Sequence, residues 1–154
     1  MTAGQVSEVS RVVVGVDGSE PSKEALRWAA RLAPTLGATI CAVSVWEYPT
    51  GYGWTSMPSG WNFQTDTDKV LHQAVDEVFG ADRPRGLELV VEQAQAAAAL
   101  LRHGVGASMV IVGSRGHGGF AGLLLGSVSS SVAEHATCPV LVVHQDQGPA
   151  TVAS

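Results

Sequence analysis

The sequence predicts a doubly wound α/β protein, a Rossmann-like parallel sheet covered by helices on both faces. Three observations carry that prediction. Short apolar strands alternate with amphipathic helices along the whole chain, which is the pattern of repeated right-handed βαβ units. An acidic glycine turn, Asp17-Gly-Ser, follows the first strand. A second glycine turn, Gly113-Ser-Arg-Gly116, follows the fourth.

Arg11-Val-Val-Val-Gly-Val16 has no polar face, as expected of a central parallel strand covered on both sides. Asp17-Gly-Ser-Glu-Pro21 then supplies a turn and a helix start, with Ser19 or Ser22 as the cap and Pro21 tolerated in the first turn. Ala25, Ala29, Leu32 and Leu36 follow at helical spacing, and Gly37 is a natural stop. Residues 39–45 read as a second strand. Residues 66–79 read as a second helix, burying Val70, Leu71, Ala74, Val75 and Val78. A third strand over 87–91, an alanine-rich helix over 93–102 and a fourth strand over 109–112 come next. A helix over 128–135 and a fifth strand over 139–143 complete the series. The expected strand order is 3-2-1-4-5, in one domain over residues 1–154, with loose ends at 1–9 and 145–154.

Composition narrows the function. At 154 residues the chain is large enough to bury roughly two thirds of its extended surface. A hydrophobic content of 45% and eighteen glycines suit a compact fold with tight turns. The formal charge is −5 and no Lys/Arg cluster exists to neutralise a run of phosphates, so nucleic acid is not an expected partner. No apolar run approaches the ~20 residues needed to cross a bilayer, so no membrane span is expected. The first residues lack the basic start and apolar core of an export signal, which makes the cytoplasm the default location. Cys41 and Cys138 form no CxxC pair and read as small core residues.

In the order 3-2-1-4-5, the turns at Asp17 and Gly113 meet at the carboxyl ends of strands one and four, where doubly wound sheets open a crevice. Gly113 and Gly116 let a backbone approach an anion closely. With nine residues between it and Gly116, Gly126-Ser127-Val-Ser129 begins a helix whose first N–H groups and hydroxyls are donors. This spacing points to a nucleotide phosphate cradle. Arg115 is either a charge-assisted phosphate donor or a solvated side chain, and His117 either a phosphate contact or a surface histidine. Asp17 serves a ligand or shapes the turn through its carboxylate. There is no Gly-x4-Gly-Lys-Ser loop and no Gly-x-Ser-x-Gly elbow. The remaining histidines show no metal-ligand spacing.

Two further segments carry expectations. Residues 46–63 hold six of the nine aromatic residues, namely Trp46, Tyr48, Tyr52, Trp54, Trp61 and Phe63. A connection of this length suits base contact, partner contact or packing. Pro139 suits an edge strand, and Val140-Leu-Val-Val143 is an apolar edge with little charge to protect it, which either pairing with a second subunit or the chain's own tail would cover.

Val13-Val-Gly15-Val16-Asp17-Gly-Ser19, Ile111-Val-Gly-Ser114-Arg-Gly116, Gly126-Ser-Val128-Ser129 and Cys138-Pro-Val-Leu-Val142 together resemble the universal stress protein family, over about residues 9 to 144. The resemblance is to its nucleotide-binding branch. It implies ATP, with Mg2+ or Mn2+ carried mainly by the phosphates. The phosphates would lie at Gly113, Gly116, Gly126, Ser127 and Ser129, with Ser114, Arg115, His117 and Val128 as further candidate cofactor-binding residues beside them. Asp17, beside Gly15 and Val16, would face ribose and adenine, and backbone near Val43 the base. AMP or another adenylated nucleotide would engage the same Asp17 side. The resemblance also implies a homodimer through strand 139–143, and an unidentified downstream protein partner. Two turns depart from the family pattern: Ala94-Gln-Ala96 stands where it usually has Gly-x-Pro, and Ser108-Met109 where it has Asp and an aliphatic residue. A nucleotide-dependent stress-response module is the leading expectation. The alternatives are a slow ATP hydrolase, since no base or nucleophile is recognisable for more than weak turnover, and a dimeric scaffold with a vestigial pocket.

Overall fold

The computed structural model describes residues 10–48, 62–115 and 125–145. They form β1 (Ser10–Gly15), α1 (Glu20–Leu36), β2 (Ala38–Trp46), α2 (Phe63–Phe79), β3 (Glu88–Gln93), α3 (Ala96–Gly104), β4 (Met109–Gly113), α4 (Ser127–His135) and β5 (Val140–Val143). The five strands are parallel in the order β3-β2-β1-β4-β5, as the alternation predicted. Helices α1 and α2 pack on one face, and α3 and α4 on the other.

Side chains of a strand alternate between faces, so each central strand feeds two cores. Val12 and Val14 of β1 join Ile40, Ala42 and Ile111 beneath α1 and α2. Val13 joins Cys41, Val43, Val110 and Val112 beneath α3 and α4. This double coverage is why β1 and β4 read as uninterrupted apolar runs. Burial pushes the Cys41 thiol up to about 11 and also raises that of Cys138, in keeping with thiols that pack and do not ionise.

Local chemistry sets the boundaries. Ser19 caps α1, its hydroxyl accepting from the Ser22 N–H, and Gly37 ends the helix in the left-handed region (φ 62°), donating to the Pro34 carbonyl at 3.1 Å. Helix α2 starts earlier than its apolar pattern indicated, because the Asn62 side chain accepts from the Thr65 N–H at 3.1 Å and caps a polar first turn. Gln93 belongs to β3, where it pairs with Trp46, and not to the third helix, which begins at Ala96. Two residues expected on buried helix faces are exposed. Leu36 lies in the last turn of α1, and Val70 turns toward Gly18 at the edge of α2. Pro139 precedes β5, which is an edge strand, and its carbonyl accepts from the Val110 N–H at 2.9 Å. The expected loose ends fall outside the described residues, apart from Gln145. No described helix is long and apolar enough to cross a membrane.

Candidate functional site

The crevice forms where β1 and β4 end side by side. A cavity of about 350 Å³ opens there, walled by the β1–α1 turn, the end of β2, and the first turns of α3 and α4. Gly15, Val16, Asp17, Val43, Gly113, Arg115, Gly126, Ser127, Val128 and Ser129 all line it. Two loops distant in sequence thus meet at one place. Ser114 does not line the cavity and is buried. Gly116 and His117 lie outside the described residues.

The acidic turn is built by its own side chains. Asp17 Oδ1 accepts from the Ser19 N–H at 2.9 Å and from the Ser19 hydroxyl at 2.5 Å, while the Asp17 N–H donates to Ser22 Oγ at 3.4 Å. The carboxylate therefore shapes the turn, and Asp17 also lines the cavity. Behind the turn, the Val16 N–H donates to the Val43 carbonyl at 2.9 Å and the buried Ser44 hydroxyl donates to the Val16 carbonyl at 2.6 Å. These bonds fix the end of β1 against β2. The Val43 carbonyl is committed to that ladder, and its side chain joins the apolar wall of the cavity.

The second loop is held from beneath. The Ser114 N–H donates to the Val143 carbonyl at 2.8 Å, and its own carbonyl accepts from the Gly126 N–H at 2.6 Å and the Ser129 hydroxyl at 2.9 Å. Helix α4 then begins with Gly126 as N-cap and with no side chain capping it. The bond from the Ser130 N–H to the Gly126 carbonyl is the first helical one, so the N–H groups before it have no acceptor within the helix. Helix α3 also lacks a side-chain cap, and its first residue, Ala96, lines the same cavity. Two helix N-termini without side-chain caps, each with a partial positive charge, thus face one crevice.

Several lining residues escaped sequence reasoning. Val45 was legible by parity, being two residues after Val43, and Val112 by its place at the carboxyl end of the fourth strand, next to Gly113. Ala96 and Leu100 carried no such signal, because an alanine-rich helix reads the same whether it packs on a sheet or walls a cavity. Gly15 shows why Leu100 reaches in: a Cβ there would stand 2.9 Å from Leu100 Cδ1. The aromatic connection contributes nothing described to the cavity. Trp46 stacks on Phe63 at 6.0 Å, Tyr48 meets both edge-on, and Trp46 Nε1 donates to Gln64 Oε1 at 2.6 Å. Val43 and Val45 face the cavity, so Trp46 emerges on the opposite face of the sheet. Tyr52, Trp54 and Trp61 lie outside the described residues. Among the described residues, no three His, Cys, Asp or Glu side chains converge as a metal site.

The family model described as the universal stress protein family matches residues 8–144. A universal stress protein of Mycolicibacterium smegmatis is 38% identical over 142 residues, covering 86% of this chain and 45% of the relative. One from Mycobacterium tuberculosis is 34% identical over 145 residues, covering 88% and 48%. The chain spans about half the length of the curated relatives it matches. Among solved structures, a universal stress protein in complex with cAMP superposes with a TM-score of 0.66 at 27% identity, covering 89% of this chain and 98% of that one. With the motifs at Asp17, Gly113 and Gly126 gathered around one cavity and the match running almost from end to end, this chain belongs to the universal stress protein family.

Proposed function

We propose that the chain is an ATP-binding stress-response module, with the triphosphate against the first turn of α4 and the adenosine toward Asp17 and Val43. The observation that carries this reading is the N-terminus of α4, which opens without a side-chain cap onto the crevice between β1 and β4. Its N–H groups suit phosphate oxygens, which are acceptors only. The opposite wall, built from Val43, Val45 and Leu100, is apolar and suits a base. The relative solved with cAMP supports an adenine nucleotide in this fold. Mg2+ or Mn2+ would be carried through phosphate oxygens. Binding is favoured over turnover because the cavity's described carboxylate, Asp17, already accepts two hydrogen bonds from Ser19. The same reading includes a second copy of the chain paired along the free edge of β5.

Calorimetric titration with MgATP and with adenosine tests the phosphate assignment through a Ser127→Asp variant. Ser127 is exposed at the start of α4, where a carboxylate favours the helix by about 0.3–1 kcal/mol. The same charge repels phosphate. MgATP affinity is expected to fall at least tenfold, about 1.4 kcal/mol, with adenosine affinity unchanged and thermal stability unchanged or raised. Wild-type protein that binds no adenine nucleotide would overturn the reading.

A further inference from the structure

Ser129 is the residue whose observed geometry departs most from the role implied by the family motif. It is 2% exposed, and its hydroxyl lies 2.9 Å from the Ser114 carbonyl and 3.1 Å from the Gly126 carbonyl. A serine hydroxyl has one proton to donate. Both neighbours are acceptors, so that proton is held between two main-chain carbonyls. A phosphate oxygen, itself an acceptor, can take the proton only by breaking this arrangement. Ser114 and Gly126 are the two ends of the segment that leads from β4 into α4, and the Gly126 N–H to Ser114 carbonyl bond joins them directly.

We infer that Ser129 is a positioning residue for the phosphate cradle and not a phosphate donor: its buried hydroxyl clasps the ends of the β4–α4 connection and thereby aims the first turn of α4 into the cavity. The inference rests on the reading that the cavity holds ATP. Recognition then falls to the backbone N–H groups of α4 and to the exposed Ser127, whose hydroxyl takes no part in the clasp. Loss of the Ser129 hydroxyl leaves the Gly126–Ser114 bond as the remaining tie, and the Ser114 carbonyl with one donor in place of two.

The test compares wild type, Ser129→Ala and Ser129→Thr by MgATP titration and by amide hydrogen exchange without nucleotide. In Ser129→Ala, MgATP affinity is expected to fall about tenfold while adenosine affinity holds. Exchange at the Gly126 N–H should rise at least tenfold, while that at Val112 in β4 stays as in wild type. Ser129→Thr, which keeps the Oγ, should restore both. A loss of MgATP affinity with Gly126 exchange unchanged would make Ser129 a direct ligand and overturn the inference. So would faster Gly126 exchange with MgATP affinity intact. If wild type binds no nucleotide, the ATP reading fails, and the exchange comparison by itself still reports whether the clasp exists.

Discussion

Gly113 lies where the first turn of α1 comes against the end of β4. A Cβ at this position would stand 2.7 Å from Pro21 Cβ, 2.9 Å from the Pro21 carbonyl carbon and 3.0 Å from the Ser22 N. Two of those atoms are backbone, so nothing flexible can yield. Gly113→Ala is therefore expected to cost about 1–3 kcal/mol, as overpacking does, measured as a shift in the denaturant midpoint. The glycine was legible in the sequence, but the reason for it was not. Its spacing from Gly116 and Gly126 suggested freedom for a phosphate loop, whereas its contacts show a helix seated against a strand, a relation between segments distant in sequence. Asp17 behaves similarly. Its partners Ser19 and Ser22 were visible as capping candidates, yet the carboxylate's bonds to Ser19 follow from the turn closing on itself.

At the level of elements, β3 and α3 are joined by a charged tie that no periodicity announces. Arg102 donates to Glu92 Oε2 at 2.8 Å, and His103 Nε2 lies 2.7 Å from Glu92 Oε1. Burial alone would raise the Glu92 carboxyl, but its bonds to Arg102 and His103 outweigh that and hold it below the ordinary value. A carboxyl depressed on folding stabilises above its unfolded pKa, and the benefit disappears as pH falls through the lower folded value. Glu92→Gln should therefore flatten the acid side of the stability–pH curve below about pH 4.5, the ordinary carboxyl value, with little change in that slope near neutrality. Denaturant melts across that range measure it, and an unchanged acid slope would refute the tie. The sequence located α1 well because Ser19, Pro21 and Gly37 punctuate it chemically. It misplaced the start of α3 because Gln93-Ala-Gln-Ala offers no such punctuation, and strand pairing with Trp46 decides the boundary. Helix α2 was shortened for a related reason: Asn62 caps a polar turn that hydrophobic spacing cannot see.

On the scale of the whole molecule, the sheet order was readable because alternation and right-handed crossovers leave few topologies open. The cavity's depth was not, since it depends on which small side chains of α3 face inward. Strand β5 is one of the sheet's two edge strands. The Pro139 and Val143 carbonyls accept from Val110 of β4 and from Ser114 just after it, so the intervening Val140 and Val142 direct their main-chain groups outward. A charge at Val142 would also disturb the core beneath α4, against which its side chain packs. Val142→Pro removes only an outward N–H and keeps an extended backbone. In sedimentation equilibrium, wild type is expected to dimerise at micromolar concentration and Val142→Pro to stay monomeric with near-wild-type melting. A dimer that survives the proline would exclude pairing along this edge. Ser114 gives that edge a reach beyond assembly. Its N–H holds the last residue of β5 while its carbonyl holds the entrance of α4, so one residue touches the rim of the sheet and the mouth of the crevice together. In the proposed reading, where a nucleotide fills the crevice and a second copy pairs along β5, any coupling between the two through this residue would be equal in both directions. Under such coupling, nucleotide supply and chain concentration would each shift the point at which the other takes effect.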